Sequence, residues 1–570
     1  MHFHPNSVGI GHLARAGGTL RSEFVEFEVR RALEWLQGDR NESRRHAAVL
    51  ILKELADNAP TLIYGYVPQY LDSIWTAFRD TKVVIRNGAA EALMSCLQII
   101  LKRESKKRQE WYDRILLEAE RCRKLATADA IHGSLLIYRN LLTGTGMFMD
   151  SRFSDVCELA LHHKDHKDPL VRRMVMSLMP TLAKFNPEDF SAHYLQRAMA
   201  FLLNQLRKDR DKNIVFFAIG EIAVCVKNQM SPYLQAFLQC IHEGLSLKGK
   251  ARAMHEKAIF KCLGKLAEAV GPALTQEAHD LLDLMFSAGL TDPLRQALGS
   301  LARFVPPLAP VIRARLLNLI SLILAGRPFL PPGAPTPAPT IAPSSIHPGL
   351  GEGVEKDEEV ITLALYTLAD FDHVTAASGA IGMRQTPMLH EFVHDTVIYY
   401  LDDEHAGVRR AAARTACLVL QREPVCLQAS AHATRIAGEV IERLLCLGIG
   451  DPDVSIRELI LSQMGPHFDR HLAQAEHLRA LFLALNDESL RVRELAMEQV
   501  GRLAQYNPAY VVPALRRTLL QLLTELEYST AARQREEAAR LLGTLVATAG
   551  RHVRPYIDAI LRVLIPKATD

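Results

Sequence analysis

The chain has 570 residues, of which 48% are apolar, 23% charged and only 6% aromatic, with a formal net charge of +3. That composition is too apolar for general disorder, and charge this close to balance gives no electrostatic case for a nucleic-acid binder. The length admits several ordinary domains, or one long solenoid that never closes a single core.

Nine cysteines (Cys96, Cys122, Cys157, Cys225, Cys240, Cys262, Cys417, Cys426 and Cys446) are scattered without a C-x-x-C spacing, which reads as buried thiols in a reducing compartment. The opening Met1-His-Phe-His-Pro-Asn6 is not a basic-then-apolar signal sequence. The greasiest run, near Leu316 to Ala325, falls short of the ~20 apolar residues a bilayer requires. The expectation is a soluble, cytoplasmic protein with no nucleic acid among its partners and no direct membrane insertion.

Residues 1–20 are rich in Gly and His and carry no periodicity, which predicts a disordered lead-in. From Glu23 onward, Ala- and Leu-rich amphipathic runs alternate with short breaks, the pattern of an all-α protein. Six times an acidic residue is followed six positions later by an arginine and then by another apolar-periodic run: Asp39/Arg45, Asp80/Arg86, Asp403/Arg409, Asp451/Arg457, Asp487/Arg493 and Glu527/Arg533. Neighbouring pairs stand roughly 35 to 50 residues apart, the period of a two-helix repeat. The breaks carry Asn-Pro or Gly-Pro, as at Asn186-Pro187, Gly271-Pro272 and Asn507-Pro508. Asn or Gly there would end one helix in the left-handed conformation, and Pro would open the next. The turn acid is expected to cap the second helix of its repeat. The arginine, rotated by roughly 120° from that cap, suits a ladder in which the acid of one repeat meets the arginine of its neighbour. Solvated charges at helix starts are the plainer reading.

Residues 326–358 hold eight prolines and an acidic end, a composition that cannot bury a core and predicts a disordered insert. It would divide an N-terminal array, 21–325, from a C-terminal one, 359–570.

Three clusters invite chemistry. His390-Glu391-Phe-Val-His394 matches the H-E-x-x-H of zinc peptidases, where two imidazoles one turn apart grip the metal and the glutamate serves as base. No third ligand follows at a usual spacing, and Phe392, Val393 and Val397 read as an ordinary core stripe. His162-His-Lys-Asp-His-Lys-Asp168 reads as a solvated turn between helices, and the basic run Lys102–Arg108 as a helix end. No phosphate-binding glycine loop, H-R-D or D-F-G string occurs, so nothing calls for catalysis, a metal or a cofactor.

Longer strings carry a family likeness. Glu23-Phe-Val-Glu-Phe-Glu-Val-Arg-Arg-Ala-Leu-Glu-Trp-Leu36, His471-Leu-Ala-Gln-Ala-Glu476, Arg493-Glu-Leu-Ala496 and Leu523-Thr-Glu-Leu-Glu527 resemble the N-terminal HEAT-repeat solenoid of the target-of-rapamycin (TOR) Ser/Thr protein kinases. The likeness runs from about residue 18 to the end. It implies a HEAT-repeat α-solenoid, a superhelix of antiparallel helix pairs, with the catalytic part of the kinase beyond Asp570. It further implies a non-catalytic scaffold arm that docks accessory subunits of the Raptor and Rictor type and a second TOR protomer. It also implies work at the vacuolar or lysosomal membrane surface, and in the nucleus. The alternatives are a free-standing HEAT adaptor, either a karyopherin-like transport receptor or a phosphatase scaffold, and, remotely, a zinc peptidase at His390, Glu391 and His394.

Overall fold

In the computed structural model the described residues are 4–16, 21–38, 40–103, 106–208, 211–247, 249–325, 357–370, 389–422 and 431–567. They form helices joined by short turns, with no strand among them. Two compact units are present: Met1–Leu284 with Gln296–Pro306, and Met285–Arg295 with Pro307–Asp570.

The first unit stacks helix pairs, and the second helix of each packs on the second helix of the next. Glu42–Asn58, Val83–Arg103, Ala128–Gly144, Pro169–Phe185, Lys212–Val226 and Lys250–Val270 form this continuous layer. Small residues set its spacing. Ala89, Ala90 and Ala92 are buried between neighbours. A Cβ at Gly133 would lie 2.0 Å from the Phe78 carbonyl oxygen, so only glycine lets the third pair seat on the second. Polar side chains add cross-ties: Asn140 Nδ2 donates to Ala90 O at 2.6 Å.

The second unit repeats the arrangement through Glu358–Asp370, Ala406–Arg422, Val454–Gln463, Leu490–Leu503 and Ala532–Val553. Thr415 Oγ1 donates to Leu365 O at 2.9 Å, and Gln499 Nε2 to Leu461 O at 2.5 Å, the same kind of tie between successive layers.

Four expectations are corrected. The lead-in, 1–20, contains a helix, His4–Ala16. Among its described side-chain positions the buried ones are Gly11 and Ala14, too small to register as an apolar stripe, and Arg15 Nε donates to Asn58 Oδ1 at 3.0 Å. The units divide near 285–306 and not at the proline-rich stretch. Of residues 326–358 all but the last two lie outside the described residues, and Glu358 already opens a helix. The flanking helices Ala309–Leu324 and Glu358–Asp370 pack together, and Tyr400 Oη donates to Leu324 O at 2.6 Å, so packing continues across the insert's two ends. Third, Val83–Arg103, Lys212–Ser246 and Pro306–Leu324 are long and apolar enough to cross a membrane by length and composition. In Val83–Arg103 that apolar content is two-thirds buried against neighbouring helices, and Lys212–Ser246 is interrupted at Lys227.

The fourth correction concerns the breaks. Asn186 and Asn507 sit at φ −138°, extended and not left-handed, and Asn186 Oδ1 instead accepts from Asp189 N at 3.1 Å. Only the Gly-Pro break uses positive φ: Gly271 at φ 53°, ψ −129°. Lys227 adopts nearly the same conformation one repeat earlier, φ 50°, ψ −122°, with a side chain that region disfavours. Lys227 is exposed, so Lys227→Gly should raise stability by about 1 kcal/mol, the relieved strain exceeding the added unfolded-state entropy. Thermal unfolding of the two proteins checks this; a lower melting temperature for the variant would contradict it.

Candidate functional site

Among the described residues, the turns inside the repeats carry a recurring set of arginine–carboxylate and arginine–carbonyl contacts. In the first unit Arg45 Nε donates to Asp80 Oδ2 of the next repeat at 2.6 Å, while its Nη1 donates to Arg40 O at 2.9 Å. Arg86 is fully buried; its Nη1 donates to Asp80 O at 2.6 Å and to Asp129 Oδ1 at 2.5 Å. In the second unit Arg409 grips Asp451 with Nε at 2.8 Å and Nη2 at 3.1 Å, and its Nη1 donates to Asp403 O at 3.0 Å. Arg457 follows suit, with Nη1 on Asp451 O at 2.6 Å and Nη2 on Asp487 Oδ1 at 3.1 Å. Arg493 ends the row on Glu537 Oε2 at 2.6 Å.

These distances explain the spacing of six. Arg86, Arg409 and Arg457 each reach back to the carbonyl of their own turn acid, and the remaining arm takes a carboxylate of the following repeat. Acid and arginine of one repeat therefore do touch, through the backbone. The acid does not cap the helix. Asp80, Asp403, Asp451 and Asp487 each accept the amide two residues on, from Lys82, His405, Asp453 and Ser489 at 2.8–2.9 Å, which closes a side-chain turn ahead of the helix. At the third turn of the second unit it is Asp453 that caps, accepting from Ser455 N. Asp39 lies outside the described residues.

The last pair is corrected in register. Glu527 is an exposed residue of the Pro508–Tyr528 helix, and Arg533, 87% exposed, pairs with Glu537 on its own helix. The turn begins at Ser529, so the arginine that reaches back is Arg535, whose Nη1 donates to Ser529 O at 3.1 Å. Arg172 does the same at His166 O, 2.6 Å, a repeat with no acid at the first position. Neither turn has an acid at its first position, because the backbone bond does not need one.

The chemistry-bearing clusters fold into structural roles. Among the described residues no group of three or more His, Cys, Asp or Glu is placed to hold a metal. His390 is buried in the seven-residue helix Leu389–Asp395. Both ring nitrogens of His394 face carboxylates, Asp395 and Glu439, at 2.8 Å each, and Glu391 faces His432. Burial opposes charging of His394, but those two carboxylates outweigh it and raise its pKa. In the His162–Asp168 stretch, Asp168 caps the Pro169–Phe185 helix by accepting from Leu170 N at 2.7 Å. At the basic run, Arg103 Nη2 donates to Thr61 Oγ1 at 2.7 Å and Arg108 Nη2 to Leu101 O at 2.8 Å. The eight described cysteines are free thiols; burial pushes Cys96 and Cys417 up to about 12, while Cys446 is exposed.

Stacked helix pairs tied turn to turn in this way define an α-solenoid of the HEAT type. Two family models match parts of it: importin subunit beta-1-like TPR repeats over residues 155–292, and the HEAT repeat associated with sister chromatid cohesion over 385–412. Solved structures of the karyopherin Kap121p share the fold alone: with Ste12p bound, the TM-score is 0.56 at 15% identity, covering 95% of this chain and 55% of that one. The complex with the SUMO protease Ulp1p scores 0.56 at 14% identity, covering 96% and 56%.

The sequence relatives are more specific. The chain is 43% identical to the serine/threonine-protein kinase tor1 of Schizosaccharomyces pombe, over 98% of this chain and 24% of that protein. It is 38% identical to TOR2 of Saccharomyces cerevisiae over 98% of this chain and 23% of that protein, and 38% to TOR of Arabidopsis thaliana over 98% and 22%. The chain belongs to the TOR protein kinase family and corresponds to its N-terminal HEAT-repeat region. It spans about a quarter of the length of these relatives and matches their HEAT region, not their kinase domain, so these 570 residues are non-catalytic.

One ladder contact makes stability respond to pH. Arg86 Nε donates to His132 Nδ1 at 3.2 Å, and burial followed by the Arg86 charge lowers His132 to about 4. Between the unfolded value near 6.5 and about 4, only the unfolded state takes up this proton, so stability is lost as pH falls through that window. His132→Asn keeps an acceptor and removes the titration. The wild-type protein should lose about 3 kcal/mol more than the variant between pH 7 and pH 4. Urea unfolding across that range checks it; parallel pH profiles would contradict it.

Proposed function

We propose that this chain is the scaffold arm of a TOR-type Ser/Thr protein kinase. It docks accessory subunits of the Raptor and Rictor type and supports pairing with a second TOR protomer, in cytoplasmic complexes that act at the vacuolar or lysosomal surface and in the nucleus. The observation that carries this reading is identity of 43% sustained over 98% of the chain with a TOR kinase, where the Kap121p likeness stops at the fold. A register-locked solenoid suits the task. Stacked repeats hold partner-facing ridges at fixed spacing, so several modest contacts add through avidity without a single deep pocket.

Affinity purification of the full-length kinase beside a version lacking these 570 residues tests the proposal. The intact kinase should retain its accessory subunits and the truncated one should lose most of them. Equal recovery from both would overturn the docking role.

A further inference from the structure

An open groove of about 650 Å³ runs along the exposed side of the Lys250–Val270 helix in the first unit, between the Lys212–Val226 helix and residues 296–300. It exists because its floor is small. Ala253, Ala258, Gly264, Ala297 and Ser300 are among its lining, and at Gly264 a Cβ would come within 3.2 Å of Ser300 Oγ, so the two elements meet there without a bulky side chain between them. Its apolar walls are exposed: Phe217 at 51% and Met254 at 68%. Such large apolar groups rarely face water together without a partner.

Charge around the groove is uneven. The Lys265 ammonium sits 5.0 Å from the Phe217 ring centre and pairs with Glu221, which fixes both the cation and the ring. Lys257 and Lys261, one turn apart and exposed, form no ion pair among the described residues. Glu268 alone contributes an acid to the lining. By contrast, the groove lined by Glu120, Arg123, Arg152, Asp155 and Glu158 interleaves three carboxylates with two guanidiniums, a mixed lining without a dominant cationic side.

We propose that the groove beside Lys257 and Lys261 binds an amphipathic helix of a partner protein. The apolar ridge of that helix seats between Phe217 and Met254, and its carboxylates meet Lys257 and Lys261. An apolar cleft with uncommitted ammonium groups along its central helix is complementary to a helix with acids beside its apolar stripe. The inference rests on the scaffold reading and assigns it one contact surface.

The probe is a designed, fluorescein-labelled helical peptide with a leucine ridge and a glutamate flank, titrated into the full chain and followed by fluorescence polarisation. The peptide should bind, and K257E/K261E should weaken it at least about tenfold while gaining affinity for a lysine-flanked counterpart. Phe217→Ser should weaken both. These side chains are exposed, so circular dichroism should be unchanged in each variant. Equal affinity for acidic and basic peptides, or indifference to the charge reversal, would overturn the proposal. So would Lys257- and Lys261-dependent binding of phosphatidylserine vesicles with no binding of the peptide. Failure of the peptide with subunit recovery still dependent on the chain removes only the groove; loss of that dependence removes the scaffold reading as well.

Discussion

The structure turns on one divided side chain. A guanidinium offers five donors in a rigid fork, and Arg45, Arg86, Arg409 and Arg457, each at the head of a second helix, use them in two directions. One arm closes its own turn on a backbone carbonyl; the other holds the carboxylate of the next repeat. That carboxylate is itself pinned by the amide two residues on, so Arg409, Asp451 and Asp453 N form one chain of contacts, and Arg457, Asp487 and Ser489 N the next. Sliding one helix pair past its neighbour by a turn would strand Asp451, whose side chain is entirely inaccessible, without its counter-charge. Breaking such a pair costs far more than making it gains. The ladder therefore sets register, and the apolar layers beneath it supply most of the stability.

Much of this was legible beforehand because it is written in residues with narrow tolerances. Acid and arginine six apart marked the turns, and alanines after the arginine marked close-packed layers such as Ala411, Ala412 and Ala413. The rest failed for physical reasons that can be named. Composition pointed to the proline-rich stretch as the divider, yet packing is set by which helices touch, and Leu324 meets Tyr400 across it. The amino-terminal helix hid because its described buried positions are a glycine and an alanine. Arg535 was missed for Arg533 because the register depends on where the preceding helix stops, at Tyr528, and helix ends are poorly encoded. The groove beside Lys257 and Lys261 left no motif, since it is built from what is small across two helices.

Function follows from rigidity more than from any reactive group. Titratable side chains that resemble catalytic sets, such as His394 with Glu439, are spent on joining helices. A solenoid whose turns are locked can present Phe217 and Met254 at a fixed distance from other ridges of the same unit, which is what a partner engaging several repeats at once requires. Kap121p carries the same fold in another setting, so the specificity of this chain resides in its surface residues and not in its architecture.

The most direct measurement of the central claim is a double-mutant cycle on Arg409 and Asp451, with Arg409→Met, Asp451→Asn and both together. Native-state hydrogen exchange would report the opening free energy of the Ala406–Arg422 and Val454–Gln463 helices. A register-setting pair predicts that each single change costs about 3 kcal/mol and that the double change recovers at least about 2 kcal/mol of the sum. Additive losses, with coupling below about 0.5 kcal/mol, would contradict it.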